Sequence, residues 1–190
     1  MKVLVACEES QAVCIAFRER GHEAYSCDLQ ECSGGHPEWH IKGFAEDAIY
    51  QENWDLIIAH PPCTRLANSG VRWLNERDLW HELHDACFLF IKFQSMAGAG
   101  YKVCIENPIP HKYAIEYIGK YTQIIQPWQF GHPEQKATCL WLYGLPKLIP
   151  TNIVSGREQK VWRMTPGPER TKLRSKTFPG IARAMAEQWG

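Results

Sequence analysis

The stretch "WDLIIAHPPC", residues 54–63, sets a short apolar run against two consecutive prolines and a cysteine. Apolar residues on both faces, with an abrupt end, read as a buried strand of a parallel sheet. The prolines stop it, because each removes a backbone donor and fixes φ. A thiol just past such a strand is either a small hydrophobe in a turn or a nucleophile held still for a reaction.

Outward from this stretch the same alternation recurs. "KVLVAC" (2–7) reads as a first strand. "SQAVCIAFRERG" follows with helical spacing at Val13, Ala16, Phe17 and Arg20, Ser10 as N-cap and Gly21 as stop. "HEAYSCD" (22–28) is a second strand. Residues 76–96 carry apolar side chains at 79, 83, 87, 90 and 91, a helix pattern ended by Gly98 and Gly100. "YKVCIE" (101–106) is a buried strand, and Pro108 and Pro110 break the chain after it. "HKYAIEYIG" is a short helix, "TQIIQP" and "ATCLWLY" are two last strands, and "PGIARAMAEQW" is a helix with proline near its start. Residues 30–43 and 144–177 fit no regular element. Repeated strand–helix–strand units predict an α/β fold with a doubly wound, mostly parallel sheet. Ligands of such sheets bind at the carboxyl ends of the strands. Cys7–Glu8, Asp28, His60–Cys63 and Glu106–Asn107 all fall there, and that coincidence points to an enzyme.

The 190 residues favour one domain, 1–190, with 45% apolar and 22% charged residues as in ordinary globular chains. No apolar run is long enough to span a membrane. The N-terminus lacks the form of a secretory signal. Eight scattered cysteines without a C-x-x-C pair suggest free thiols in a reducing cytoplasm. The net charge is zero but unevenly placed: residues 144–190 hold nine Lys/Arg against three Glu, the remainder 12 against 18. A basic tail on an acidic body suits one anionic ligand at one end.

The first turn, "ACEESQAV", has neither the G-x-G-x-x-G fingerprint nor a P-loop. Its acids would repel phosphates and suit a cationic ligand. S-adenosyl-L-methionine carries a sulfonium and an ammonium and no phosphate, and Glu8 or Glu9 can meet those charges. The other reading of the two acids is a favourably charged helix N-terminus. Asp28, ending the second strand, suits ribose hydroxyls. A thiolate at Cys63 needs a neighbouring cation or helix N-terminus, since a free thiol is only a few per cent ionised at neutral pH.

The order "CEES … CDL … HPPCT … ENP … FGHPEQKATCLWL … FPGIARAMA" resembles the DNA cytosine-5 methyltransferases, above all the small stand-alone versions of phages and prophages. The resemblance implies a Rossmann-like, S-adenosylmethionine-dependent methyltransferase fold in a bacterial or phage-infected cytoplasm. It makes Cys63 the nucleophile that adds to carbon 6 of cytosine. Glu106 would hold ring nitrogen 3 and the exocyclic amine, with a proton that burial favours. Lys136 would be a cation near the base or its phosphate. The cofactor would lie along Cys7, Glu8, Glu9, Ser10, Gln11, Asp28, Leu29, Asp47, His60 and Pro61, with Phe44 as the alternative alignment to Asp47. Pro62, Thr64, Asn68, Ser69, Arg72, Asn107, Pro108, Thr138, Trp162 and Arg163 would face the substrate.

The chain departs from the family in several places. Thr64 stands where Gln is usual. Glu134, Lys136 and Thr138 replace Gln-x-Arg-x-Arg. The glycine-rich first motif is absent, and only residues 144–177 stand in place of a target-recognition domain, with 178–190 as a helix packing back on the core. A base in a duplex must be flipped to be methylated. "GREQKVWRMTPGPERTKLRSK" offers basic residues around Trp162 for tracking a backbone and stacking a base. Sequence readout should be short or loose. Cytosine in RNA, a free deoxycytidine nucleotide, or a non-catalytic role in binding the cofactor are the competing readings. Amino-group methylation of adenine prefers an Asp/Asn-Pro-Pro-aromatic tetrad, which "HPPC" fails at both ends. Cys27, Cys32, His36 and His40, and separately His81, His84 and Cys87, hold donor atoms but lack the spacing of zinc modules, so no metal is expected.

Overall fold

The computed structural model describes residues 1–163, 165, 167 and 170–190, and of these all side chains but those of Val161, Trp162 and Thr171. Seven strands form one sheet: β1 (Lys2–Ala6), β2 (Glu23–Asp28), β3 (His40–Lys42), β4 (Leu56–Ala59), β5 (Lys102–Pro108), β6 (Gln123–Ile125) and β7 (Thr138–Tyr143). Their order is β3-β2-β1-β4-β5-β7-β6. β3 to β5 pair in parallel, and β7 runs antiparallel to both β5 and β6. The expected doubly wound, mostly parallel sheet is what forms.

Helices cover both faces. α1 (Ala12–Glu19) and α8 (Pro179–Trp189) pack against Val3, Val5, Leu56, Ile58, Cys104 and Leu140. α2 (Ala45–Ala48), α4 (Trp80–Gly98) and α5 (Lys112–Ile118) cover Leu4, Ala6, Ile57, Ala59, Val103, Ile105 and Trp141. Successive residues of one strand thus feed opposite layers, as the pleat requires. Every residue of β4 is fully buried, which explains its unbroken apolar run.

The boundaries shift in places. Ser10 is not the N-cap of α1. Gln11 holds that place at φ 58°, and among the described residues Ser10 Oγ accepts only from Ala12 N at 3.5 Å. The region 76–96 divides into α3 (Arg72–Glu76) and α4, which runs through Gly98. β3 and α2 lie in and beside a stretch expected to be irregular. Residues 144–177 contain α6 (Lys160–Arg163) and α7 (Arg170–Ser175). Among the described residues no helix is long and apolar enough to cross a membrane, and no group of three or more His, Cys, Asp or Glu is placed to hold a metal ion.

Candidate active site at the strand ends

The site is built by register. β4 and β5 pair with Ala59 opposite Ile105, so the next residues, His60 and Glu106, stand side by side. They follow Ile58 and Cys104 on the α1/α8 face. His60 Nδ1 meets Glu106 Oε2 at 2.7 Å, and each side chain is 12% exposed. On the opposite face Asn107 is buried and donates from Nδ2 to the Pro61 carbonyl at 2.8 Å. That bond ties the Pro-Pro-Cys turn to β5. The turn then closes on itself, with Leu66 and Ala67 donating to the Cys63 carbonyl. Gly70 packs so closely on the Thr64 carbonyl that a methyl group would collide with it.

Electrostatics bind the cluster further. Desolvation is the largest influence on Glu106 and pushes its carboxyl up. The His60 hydrogen bond, the His60 charge and Lys136 outweigh it, and the net direction is down. Desolvation pushes His60 down, but Glu106 and then Glu8 reverse it, and the imidazole is raised above its usual value despite Lys136. Both directions favour the ion-paired form, an imidazolium against a carboxylate. Burial had favoured a protonated Glu106 from sequence alone; a histidine 46 residues away changes the sign. Cys63 is raised by burial and by Glu106, against the pull of Lys136 and Arg174. At rest it is a thiol. The segment after it is a turn and a 3-10 turn (Asn68–Gly70) rather than a helix N-terminus.

Lys136 precedes β7 and donates to the Lys176 carbonyl at 3.3 Å. Thr138, buried at the start of β7, donates to the Lys136 carbonyl. Cys63, Glu106, His60 and Lys136 thus share one electrostatic neighbourhood, and the Pro61 and Asn107 contact frames it. Pro62, Thr64, Asn68, Ser69 and Arg72 are exposed around the turn, and Pro108 is half-buried at the end of β5. The Arg72 guanidinium lies 4.1 Å from the centre of the Trp73 ring. Arg163 is exposed on α6, while the Trp162 side chain lies outside those described.

Beside this cluster the β1–α1 turn presents its two acids differently. Glu8 accepts from Val13 N at 2.7 Å and Cys14 N at 3.2 Å, capping α1. Glu9 is 7% exposed, and among the described residues neither carboxylate oxygen has a hydrogen-bond donor. Lys172 Nζ of α7 stands 3.6 Å from it. The turn lacks the glycines usual in such places, yet Cys7 and Gln11 take the left-handed conformation glycine favours, at φ 59° and 58°. Gln11 spends its amide on Ser26 Oγ and on the His36 backbone. Asp28, at the end of β2, accepts from Gln30 N. Leu29 after β2 and Phe44 after β3 are each 59% exposed, and Asp47 is exposed on α2.

Two solved structures share this architecture. One, encoded within an E. coli prophage and assigned as a DNA modification methyltransferase, superposes with a TM-score of 0.53 at 11% identity, covering 87% of this chain and 55% of the other. The second, the Entamoeba histolytica methyltransferase EhMeth, gives 0.51 at 15% identity, covering 84% of this chain and 57% of the other. The fold is the Rossmann-like methyltransferase fold. This chain spans little more than half the length of either neighbour. No protein-family model matches its sequence, and no curated protein does. Ligands of open α/β sheets bind outside the carboxyl ends of the strands, two pairs of which, β1 with β2 and β4 with β5, carry polar groups here. Glu9 and Asp28 lie at the first pair, and Cys63 and Glu106 at the second.

The residues that sequence reasoning did not single out are Arg174, whose charge reaches Cys63, and Lys172, which reaches Glu9. Both belong to the basic run that the sequence marked only as a tract. His60 was read as a cofactor contact, and its bond to Glu106 has no sequence signal.

Proposed function

We propose that this chain methylates carbon 5 of cytosine in DNA, using S-adenosyl-L-methionine and a covalent adduct at Cys63. What supports the reading is the convergence of a thiol, a paired carboxyl and a lysine at neighbouring strand ends, on a methyltransferase fold.

The cofactor side fits a phosphate-free cation. Glu9 is a buried carboxylate with no hydrogen-bond donor among the described residues. Glu8 is already committed to α1, so Glu9, with Lys172 at 3.6 Å and no hydrogen-bond donor among the described residues, is the acid placed to meet an ammonium or sulfonium. Asp28 would take the ribose hydroxyls, and Leu29 and Phe44 would give the adenine two apolar faces. When bound, the cofactor supplies an electrophilic methyl group.

The chain's own residues do the rest. Cys63 gives its thiol proton to water as its sulfur bonds to carbon 6, and the electron pair of the carbon 5–6 double bond moves toward carbon 5. Glu106 grips ring nitrogen 3 and the exocyclic amine, which draws electrons from carbon 6 and makes carbon 5 nucleophilic. Lys136 holds compensating positive charge beside the adduct. Once carbon 5 has taken the methyl group, its proton passes to water, the carbon 5–6 double bond re-forms and the carbon–sulfur bond breaks. Asn107 fixes the turn so that the sulfur keeps its approach. The basic stretch 157–176 would track the phosphates of an extruded or single strand.

Incubation with cofactor and an oligonucleotide containing 5-fluorocytosine tests this. A covalent protein–DNA band with the wild type, lost completely in Cys63→Ala, is expected. No band with single- or double-stranded DNA overturns the reading.

A further inference from the structure

We infer that His60 is the positioning residue of the base-reading carboxyl, holding Glu106 at the end of β5 and storing the proton through which Glu106 hydrogen-bonds a pyrimidine ring. This rests on the assignment of Glu106 above. The parallel register of β4 and β5 sets the two residues beside each other on one face, and they meet at 2.7 Å. Both are largely buried, so water competes poorly for either. The second imidazole nitrogen, Nε2, is buried with no partner among the described residues. The backbone just after His60 is tethered through the Pro61 carbonyl to Asn107. A buried ion pair gains little over apolar side chains of the same volume, so stability alone does not account for this one.

Its value lies in proton count. An ionised carboxylate has only acceptors, and ring nitrogen 3 of cytosine is an acceptor too. One proton must stand between them. The ion-paired form, with Nδ1 and Oε2 2.7 Å apart, holds that proton on His60 Nδ1. When a base enters, the Nδ1–H bond breaks and an O–H bond forms on Glu106. The carboxyl then turns that O–H to ring nitrogen 3. An imidazolium–carboxylate pair becomes a neutral imidazole and a neutral acid, and no proton is exchanged with solvent. When product leaves, the proton returns. The charged and titratable groups facing the pair are Glu8 from the β1–α1 turn, Cys63 from the loop after β4, Cys104 of β5, Cys139 of β7 and Lys136 before β7. Glu8 helps hold the proton on the pair and Lys136 opposes it. The two groups titrate as a unit.

Two measurements decide it. In ¹⁵N-labelled protein without substrate, the His60 imidazole should carry protons on both nitrogens at pH 7, and its titration midpoint should fall by at least one pH unit in Glu106→Gln. A neutral imidazole at pH 7, or a midpoint that Glu106→Gln leaves in place, overturns the pairing. Adduct formation on 5-fluorocytosine DNA is then followed from pH 6 to 9 in wild type and His60→Asn, which keeps an N–H donor toward Glu106 but no proton to give. The wild type should hold its rate through neutrality, while the variant's deficit grows by roughly tenfold per pH unit, since its proton comes from solvent. A deficit equal at every pH means a structural role only and sinks the proposal. If the wild type forms no adduct at any pH, the functional reading fails and proton delivery fails with it, while the ¹⁵N titration still decides the pair.

Discussion

Two adjacent glutamates at the end of β1 have different fates because one of them finds backbone donors. Glu8 satisfies two N–H groups that would otherwise be orphaned at the start of α1. Glu9 finds none among the described residues, and Lys172 approaches it only to 3.6 Å. If Glu9 meets the cofactor as proposed, Glu9→Gln should weaken S-adenosylmethionine binding by about ten- to a hundredfold, the loss of one charge-assisted contact of about 1.5–3 kcal/mol. Calorimetric titration checks it, and an unchanged affinity would remove Glu9 from the cofactor site. The His60–Glu106 pair has a pH signature in stability. Glu106 is depressed, so its contribution is present above the ordinary carboxylate range near 4.3 and is lost as pH falls through the folded value. His60 is raised, so its contribution is full below about 6.5 and is lost as pH rises through the folded value. The urea midpoints of wild type and Glu106→Gln should therefore differ most between about pH 5 and 6.5, and converge toward pH 3.

At the level of elements, the site depends on close backbone approaches. Gly180, in the first turn of α8, donates to His132 Nε2 at 3.0 Å and lies against the Phe130 carbonyl, where a Cβ would collide with backbone. Gly180→Ala should cost about 1–3 kcal/mol through overpacking, lowering the melting temperature by several degrees. A calorimetric scan reads it directly. The long elements were legible because their periodicity is local: β4 is uniformly apolar, and α4 repeats Leu83, Cys87 and Phe90 toward the core. β3 and α2 were not. They have three and four residues, too few for any period, and β3 exists because Ser26, Cys27 and Asp28 of β2 offer it a paired edge. The left-handed turn at Cys7 and Gln11 was hidden for the opposite reason, since its residues are not those that usually mark such a turn.

The whole molecule sets an acidic sheet body against a basic carboxyl-terminal stretch. α7 brings that stretch back over the strand ends, with Lys172 near Glu9 and Arg174 felt at Cys63. If the stretch tracks a nucleic-acid backbone, affinity should fall linearly in log–log form with salt. Replacing exposed Arg163 or Lys176 with Ala should weaken binding about equally for all sequences and lower the salt slope by about one for each residue removed. Fluorescence anisotropy from 50 to 200 mM salt measures both, and a flat salt response would rule out a phosphate-tracking role.

Sequence by itself determined the longer strands and helices, and therefore which reactive residues stood at strand ends. Cys7, Glu8, Asp28, Cys63 and Glu106 were placed that way, because the period of side-chain burial is written residue by residue along the chain. Only the tertiary structure decided which strand ends became neighbours and with what register. Hydrogen bonding of β4 to β5 set His60 against Glu106 and turned the shift of that carboxyl from the upward one burial favours to a downward one. A backbone ladder couples residues far apart in the chain through geometry alone, and no local pattern encodes the partner.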